Sequence, residues 1–570
     1  MKLRRSALAM VLSVSLLAGC ADAEPAPAET HGLTVMTAAL GRCAANENRD
    51  RQFPSGSDRV VIELSGGGVP AGDPIEFVAP RGAESASGAV VVDSVPPGVG
   101  MTVRVVGCSG ADTLWAGQTH GVEVTEHTKS FPPVFLTPTQ NIACTGNAES
   151  APGATVPTEA RGFAAFVGDG EQAWLFGGIA GYDRATATAT ATATVDHYTR
   201  LSSEFADLGG LQHARAMAAA VWRSDGKIMV VGGTKRLRFA QPGKPAIWVN
   251  SDDAPPAAAE IYDPATGQSE IAVAAPLPAM PALAVMGDGT VLAVGGVEAG
   301  GVGDPAEGVR SDTIATVGES GAANGRVLGG ARYGATVVPI SPNEGLVWGG
   351  NESAAVADLG VLVRTDQPLD SGQTPLVVTG AAEVPIFAAG HLLDGDGIPR
   401  VLVAGGGVIQ PGPAFPRDVA APRLQIVTID VGAASANVVD VDIPDLERAF
   451  TRAAGSLYGL GDREFLWIGG YTAFQNSAIC GGGSDCLQGA AVRFSVDTSG
   501  VPLATELAPR LELTVGPFGS LAGDLGDGSW LIVGGIETIT QQALDAGSAL
   551  LRYRGFDRDL CADNPLPVAE

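Results

Sequence analysis

Four arginines occupy one position in a sequence pattern that recurs along the chain. The pattern is a short apolar run that ends in Gly-Gly, and its first glycines are Gly177, Gly232, Gly295, Gly349, Gly405, Gly469 and Gly534. Arg215, Arg332 and Arg452 each precede that glycine by 17 residues, and Arg161 precedes it by 16. Because equal spacing predicts equal positions in successive strands, we expect the four guanidinium groups to converge.

Guanidinium groups that converge are suited to bidentate binding of carboxylates. The arginines therefore predict a site for a carboxylate-bearing ligand, an acidic peptide or an acidic glycan. A second interpretation is that each arginine pairs with a nearby carboxylate or caps loop carbonyls. The other three units carry Pro278, Ala388 and Pro517 at this position, so the predicted ring of arginines is incomplete.

The chain lacks the residue sets that two kinds of enzyme require. A copper-radical oxidase needs tyrosine, histidine and a tyrosine-bridged cysteine together, and only His197-Tyr198 places the first two types side by side. The Ser-x-Asp-x-Gly-x-Thr-Trp motif of sialidases does not occur. We therefore expect no catalytic residues, no metal site and no cofactor.

The N-terminus resembles an export signal followed by a lipid anchor. Basic residues precede a short apolar core, and Leu17-Ala18-Gly19-Cys20 resembles a bacterial lipobox. The resemblance implies that residues 1–19 are a signal peptide and that Cys20 carries the lipid. Residues 20–32 then form the lipidated cysteine and a flexible tether rich in Ala, Pro and Glu. We expect a protein anchored in the bacterial cell envelope, at the outer membrane or the cell surface.

Six cysteines remain after Cys20, and an even number in an exported chain predicts disulfides. Six cysteines permit fifteen pairings, and position along the chain narrows them. Two precede the repeats, two flank the repeats and two lie in one short loop. The predicted pairs are Cys43–Cys108, Cys144–Cys561 and Cys480–Cys486.

One unit of the pattern shows how the strands are ordered. Residues 215–222 are small and apolar, Asp225-Gly226 predicts a hairpin turn, and residues 228–231 lead into the Gly-Gly. The phrase AAAEIYDPATG at 257–267 adds a third strand that a turn closes. This order resembles the kelch motif. The resemblance implies a β-propeller with one four-stranded sheet per motif, in which Tyr262 packs between sheets and the arginines line the mouth of a central channel.

The seven phrases predict an all-β protein in which residues 141–565 form a seven-bladed kelch-type β-propeller. Residues 33–140 have short strands between turns, which predicts a small immunoglobulin-like β-sandwich. Since an open array would leave two sheet edges unpaired, we expect residues 151–158 to supply a strand to a shared blade. The Ala-Thr alternation at 185–195 has three interpretations, a mobile loop, an extended strand or an O-glycosylated segment, and we take the mobile loop as the default.

The formal net charge of −27 argues against a nucleic-acid partner, because phosphates would be repelled. We expect a monomeric binding protein with no chemistry of its own, which reaches the membrane through the lipid on Cys20. Its partner is an unidentified protein or glycan. The alternatives are a carbohydrate-active enzyme with carboxylates on the propeller face and a structural envelope protein without a discrete ligand.

Overall fold

The protein is described by a computed structural model. The described residues, to which all structural statements refer, are 31–39, 54–83, 89–125, 130, 132–139, 143–144, 157–159, 161–169, 172–183, 188–200, 202–239, 247–248, 256–298, 310–350, 359–380, 385–393, 397–408, 424–441, 455–461, 463–468, 491–497, 502–507, 518–525, 529–536, 550–553 and 560–564. These residues are almost entirely β-structure, which confirms the predicted all-β class.

The N-terminal region forms one seven-stranded sheet. Its strands are β1 (His31–Ala39), β2 (Arg59–Gly66), β3 (Ile75–Pro80), β4 (Ala89–Val95), β5 (Gly98–Ser109), β6 (Asp112–Val124) and β7 (Pro133–Pro138). Their order across the sheet is β3-β2-β5-β6-β7-β1-β4, with β1 parallel to β7. Buried valines from β1 and β4 share one core with those from β2 and β5. Because strands from both ends of the order meet in this core, the sheet folds over onto itself.

The repeats begin after this sheet. Their strands through the third Gly-Gly run are β8 (Ala143–Cys144), β9 (Ala165–Gly168), β10 (Gln172–Phe176), β11 (Ile179–Asp183), β12 (Thr188–Ala191), β13 (Thr194–Thr199), β14 (Glu204–Gly210), β15 (Ala219–Trp222), β16 (Ile228–Val231), β17 (Arg236–Phe239), β18 (Ile247–Trp248), β19 (Ala257–Asp263), β20 (Gln268–Pro276), β21 (Ala282–Val285), β22 (Val291–Val294), β23 (Thr313–Gly318) and β24 (Gly321–Arg326). The predicted unit at 215–267 is confirmed, since β15, β16 and β19 pair in that order around a turn at Gly226, whose φ is 76°.

The remaining strands continue the same arrangement. They are β25 (Thr336–Ser341), β26 (Glu344–Trp348), β27 (Gly360–Arg364), β28 (Gln373–Pro375), β29 (Val377–Thr379), β30 (Pro385–Ile386), β31 (Ala389–Leu393), β32 (Arg400–Ala404), β33 (Gly407–Val408), β34 (Leu424–Asp430), β35 (Ser435–Asp440), β36 (Ser456–Gly461), β37 (Glu464–Ile468), β38 (Ala491–Val496), β39 (Pro502–Leu507), β40 (Phe518–Asp524), β41 (Ser529–Ile536) and β42 (Leu550–Tyr553), followed by the short helix α1 (Leu560–Asp563).

Seven sheets repeat one antiparallel order in the described part of the chain. We number them sheet 1 (β9, β10, β13, β14), sheet 2 (β15, β16, β19, β20), sheet 3 (β21 to β24), sheet 4 (β25 to β28), sheet 5 (β31, β32, β34, β35, with β29 added), sheet 6 (β36 to β39) and sheet 7 (β40, β41, β42, β8). Their first strands contact one another in cyclic order, from β9 through β15, β21, β25, β31 and β36 to β40, which contacts β9 again.

The Gly-Gly runs mark close approaches between successive sheets. A Cβ on Gly177 would lie 2.1 Å from the carbonyl oxygen of Arg215, and one on Gly349 would lie 2.2 Å from that of Pro385. The next glycine donates its N–H to the same carbonyl, for example Gly178 to Arg215 at 2.8 Å. Glycine is therefore required because the backbone of the next sheet occupies the space of a side chain.

The two ends of the array meet in sheet 7. Strand β8, which precedes the array, pairs with β42, the last strand of the array. The idea of a shared sheet is therefore correct, and the strand that the structure describes there comes from residues 143–144. Of the predicted segment 151–158, only residues 157 and 158 are described, and they are not in a strand. Phe163 of the first unit also donates its N–H to the carbonyl of Gly519 in the last unit at 2.7 Å.

Two of the predicted disulfides are wrong. Cys108 is bonded to Cys561, so neither can bond to Cys43 or Cys144. The reason is that α1 leaves the array and packs on the N-terminal sheet, where Leu560 and Cys561 are buried beside Val61 and Val106. Arg59, which is 1% exposed, donates to the carbonyl oxygen of Cys561 at 2.6 Å. Cys20, Cys43, Cys480 and Cys486 lie outside the described residues, and for Cys144 only the backbone strand is described.

The described part of the Ala-Thr alternation agrees with the extended-strand interpretation and not with the mobile loop that we took as the default. Its described residues form β12 and the first part of β13. Strand β12 pairs with β11 and also with β17, which follows the Gly-Gly run of sheet 2. The hairpin β11–β12 and the hairpin β17–β18 thereby form an additional four-stranded sheet, which we call the loop sheet. The residue pattern of one strand could not predict this pairing, because β12 and β17 belong to different units.

Candidate functional site

The first arginine of the predicted ring lies inside sheet 1. The side chain of Arg161 is fully buried, and its Nη2 forms an ion pair with Asp196 at 2.6 Å. Its Nη1 donates to the carbonyl oxygens of Gly177 at 3.1 Å and Thr194 at 3.2 Å. Burial lowers the pKa of Arg161 and raises that of Asp196, and the attraction between the two charges opposes both shifts. The pair therefore consists of a desolvated cation and a desolvated anion that compensate each other.

Arg215 has the same arrangement in sheet 2, where both side chains of the ion pair are fully buried. Its Nη2 donates to Glu260 Oε1 at 2.5 Å, and its Nη1 donates to the carbonyl of Gly232 at 2.7 Å. Burial lowers the pKa of Arg215, and Glu260 opposes that shift. Glu260 also accepts the backbone N–H groups of Gln212 and His213, so one carboxylate fixes both the arginine and the chain that leads to it.

Arg332 is equally buried in sheet 4 but has a different environment. It is 0% exposed, and its Nη1 donates to the carbonyl of Gly349 at 2.7 Å. The third strand carries Asp196 opposite Leu175 in sheet 1 and Glu260 opposite Val230 in sheet 2. The corresponding position of sheet 4 is an apolar valine, Val361, opposite Val347.

The three described arginines therefore do not line a channel mouth, which corrects the ring prediction. Each points back into its own sheet and caps the carbonyl of the first glycine of its Gly-Gly run. The second interpretation, local pairing and capping of carbonyls, describes what they do. Arg452 lies outside the described residues. In sheet 5 the equivalent residue is Pro385 rather than Ala388, because Pro385 accepts from Gly350 as Arg215 accepts from Gly178.

The position two residues after the arginine carries a different kind of residue. Two residues after the arginine position, Phe163, Met217, Met280 and Phe387 adopt positive φ of 57°, 58°, 52° and 53°. Sheets 4 and 7 have Gly334 and Gly519 at this position. The rings pack over these glycines, since a Cβ on Gly519 would lie 2.6 Å from the Phe163 ring. Bulky residues at positive φ are strained, so the packing of neighbouring sheets must hold them in place.

This apolar collar was missed by the sequence analysis. The signal that could have found it is the recurrence of Phe, Met or Gly two residues after the arginine position. Met217 donates its N–H to the carbonyl of Phe163 at 2.7 Å, and Phe387 donates to that of Gly334 at 2.6 Å. The collar therefore connects neighbouring sheets through backbone hydrogen bonds.

The two ends of the sheets differ in the length of their connections. At the end with the Gly-Gly runs, the connection between second and third strands ranges from 11 residues at 349–359 to 25 residues at 232–256. At the opposite end, the connection between first and second strands ranges from two residues at 342–343 to six at 394–399. We call these the long-loop end and the short-turn end.

The N-terminal sheet packs at the short-turn end. Phe135 of β7 lies in a buried cluster with Leu175 of sheet 1 and with Leu525, which follows β40. Arg200, in the turn after β13, donates to the carbonyl of Phe135 at 2.8 Å. Phe135 thus fills the junction between the first and last sheets of the array, and the long-loop end faces away from the N-terminal sheet.

Other side chains that could carry chemistry have structural partners. His197 Nε2 lies 2.7 Å from Gln172 Oε1, and burial lowers its pKa. Tyr262 packs between sheets 1 and 2, as predicted, with its ring 5.2 Å from that of Phe176. Its hydroxyl donates to the carbonyl of Leu208, and burial raises its pKa to about 12.

Among the described residues, no group of three His, Cys, Asp or Glu side chains is placed to hold a metal ion. A search of the same residues for a helix with the length and apolarity of a membrane span gives none.

Comparisons with known proteins do not assign the chain to a family. No protein-family model matches the chain, and a search of curated proteins finds no match. A solved chain described as "Structure of YjhT" is similar over 62% of this chain and 99% of its own length, with 12% sequence identity and a TM-score of 0.38. At this TM-score we base no argument on the likeness.

Proposed function

We propose that the protein is a lipid-anchored binding protein of the bacterial cell envelope. Its seven repeated sheets are the blades of a kelch-type β-propeller, and the loops at the long-loop end bind a protein or glycan ligand. The protein has no chemistry of its own in this proposal. The lipid on Cys20 connects it to the membrane through the tether at 20–32.

The propeller is supported by the cyclic contacts of the first strands and by the pairing of β8 with β42. An array whose last sheet touches its first has no free sheet face at either end. Strand β8 further supports closure because a strand from before the array completes the last sheet. This arrangement joins the two ends of the chain segment as a ring requires.

The observation that supports the binding function is the difference in connection length between the long-loop end and the short-turn end. The N-terminal sheet packs at the short-turn end through Phe135, and the chain upstream of that sheet contains the predicted anchor. The long connections therefore extend on the side away from the anchor. Loops on a rigid scaffold are where binding residues concentrate, and an exposed end with connections of up to 25 residues, at 232–256, has the surface for it.

The test is cross-linking on intact cells that express the full chain, followed by identification of the captured protein or glycan. A photo-crosslinking residue replaces Ser251, in a long connection, in one version and Asp288, in a short turn, in the other. We expect a discrete partner from the first version alone. Capture by neither would reject the proposal in favour of a structural envelope role, and turnover of the captured glycan would indicate an enzyme.

A further inference from the structure

The short helix α1 ties the end of the array to the N-terminal sheet. Cys561 in α1 is bonded to Cys108 in β5. Leu560 is 1% exposed and both cysteines are 0% exposed, in one buried cluster with Val61 and Val106. We call α1 and its disulfide the clasp. The clasp joins the chain that follows sheet 7 to the chain that precedes sheet 1.

A buried cation adds polar contacts to the clasp. Arg59 of β2 is 1% exposed, and its Nη2 donates to the carbonyl oxygens of Cys561 at 2.6 Å and Gly110 at 2.8 Å. Just after α1, the side-chain amide of Asn564 donates to Glu76 Oε2 at 2.8 Å. If α1 left the sheet, the buried guanidinium of Arg59 would lose one of its acceptors, which is costly. The position of α1 is therefore fixed by polar as well as apolar contacts.

The strand pairing that closes sheet 7 is short. Strand β8 pairs with β42 through two residue pairs, Cys144 with Leu550 and Ala143 with Leu551. The outer strand of sheet 3, β24, pairs with its neighbour through six residue pairs. Because each cross-strand pair contributes only a small free energy, the pairing of β8 is a weaker join than that of β24. The clasp therefore adds a strong join where the strand pairing is short.

The covalent path through the clasp encloses the whole array. Cys108 and Cys561 have a sequence separation of 453, and all seven Gly-Gly runs lie between them. A break in any connection of the long-loop end therefore leaves two pieces that the disulfide still joins. Exposed loops are the preferred sites of proteolytic cutting, and the connections at this end reach 25 residues, at 232–256.

We propose that the clasp keeps the array closed after a protease cuts one of its long connections. The cut protein remains one covalently joined molecule, so its sheets stay together as an intramolecular assembly. Two pieces held by a short link meet at an effective concentration of about 1 mM, whatever their concentration in solution. This inference goes beyond the proposed binding function and does not depend on it.

Burial of the disulfide favours a permanent join over a redox switch. Cys108 and Cys561 are each 0% exposed, and Thr113 Oγ1 donates to Cys561 Sγ at 3.0 Å. Thiol–disulfide exchange requires that a thiolate attack a sulfur atom, so a soluble thiol must wait until the fold opens. The clasp should therefore persist in the folded protein under reducing conditions that break exposed disulfides.

The experiment cuts the purified full-length protein at one engineered site. A recognition sequence for a site-specific protease is inserted after Ser251, in the connection 232–256. The test variant is C108S/C561S, and the matched control is C480S/C486S, which removes two cysteines that follow the cut. Electrophoresis in denaturant, with and without thiol, shows whether the two pieces are joined. Thermal unfolding at several protein concentrations shows whether the pieces stay assembled.

We expect the cut wild type to run as one species without thiol and as two pieces with thiol. Its melting temperature should not depend on protein concentration, because its pieces are joined. Cut C108S/C561S should run as two pieces in both conditions, and its melting temperature should fall on dilution. At about 1 µM protein, loss of an effective concentration of about 1 mM should weaken assembly about a thousandfold. The C480S/C486S control should behave as the cut wild type does.

Three results would overturn the proposal. The first is separation without thiol of the cut wild type or of the control, which would mean that the Cys108–Cys561 bond does not join the pieces. The second is a cut C108S/C561S whose melting temperature is independent of concentration, which would mean that non-covalent contacts suffice. The third is loss of the folded state when the wild type is cut. If uncut C108S/C561S fails to fold, the cut wild type decides alone, since the first and third results need no test variant.

Discussion

Removal of the carboxylate of Glu260 tests whether the arginines stabilise the sheets. Glu260 is 0% exposed and accepts hydrogen bonds from Arg215 Nη2 and from the backbone N–H groups of Gln212 and His213. The substitution Glu260→Val leaves a buried guanidinium that is bonded only to carbonyl oxygens. Loss of one member of a buried ion pair costs about 3–5 kcal/mol of the free energy of unfolding.

A second variant makes the prediction specific. The chain itself places Val361 at the equivalent position of sheet 4, so valine fits the strand. In R215M/E260V both charges are replaced by apolar side chains, and such replacements are often close to neutral. We expect the double variant to lose about 1–2 kcal/mol, which is less than the loss in either single variant and would show that the two residues are coupled.

The assay is urea unfolding of the wild type, R215M, E260V and R215M/E260V, with tryptophan fluorescence as the signal. Trp222 of sheet 2 and Trp174 of sheet 1 lie 5.1 Å apart and report on this region. The control is Glu319→Gln, an exposed carboxylate that accepts from Ser224 and should change stability by less than about 0.5 kcal/mol. The reasoning is refuted if E260V costs less than about 1 kcal/mol, or if R215M/E260V is as unstable as E260V.

Three further predictions concern the closure of the array and its pH response. Cys561→Ser removes a cross-link of sequence separation 453, and the chain-entropy relation predicts that the free energy of unfolding falls by up to about 6 kcal/mol. Non-reducing peptide mapping of the wild type should recover Cys108 linked to Cys561. A peptide that links Cys144 to Cys561 would contradict this prediction. Gly519→Ala and Gly397→Ala both place alanine at positive φ, at 71° and 87°, but only Gly519 faces a ring, that of Phe163. We expect Gly519→Ala to lower the melting temperature more, by an added cost of about 1–3 kcal/mol, and equal effects would argue against contact between the first and last units. Burial lowers the pKa of His197, so the folded state resists its protonation and stability should fall as pH drops below about 6.5. His197→Gln should reduce this loss in unfolding midpoints measured between about pH 5 and 7, and an unchanged pH profile would show that His197 does not cause it.

The local parts of the fold could be predicted because their causes are local. The Asp225-Gly226 turn and the strand that ends in Gly232-Gly233 need nothing beyond neighbouring residues, and both are present. The role of Tyr262 between sheets was also predicted, from the kelch resemblance. Spacings of 16 or 17 residues likewise placed Arg161, Arg215 and Arg332 at equivalent positions, and the structure confirms the equivalence.

The direction in which those arginines point could not be predicted. Spacing fixes the position of a residue along a strand but not whether its side chain meets solvent or a partner inside the sheet. Asp196 and Glu260 lie 35 and 45 residues after their arginines, and only the pairing of the third strand with the second brings them close. The loop sheet was missed for the same reason, since β12 and β17 belong to different units.

The sequence by itself determined the repeat, the strand order of the unit at 215–267 and the recurrence of glycine at the end of each second strand. These follow from hydrophobic pattern and turn chemistry, which act over a few residues. The tertiary structure decided the Cys108–Cys561 bond, the burial of the arginines and the pairing of β12 with β17 in the loop sheet. Each of these depends on segments that are distant in sequence, and their distances are set only when the sheets pack together.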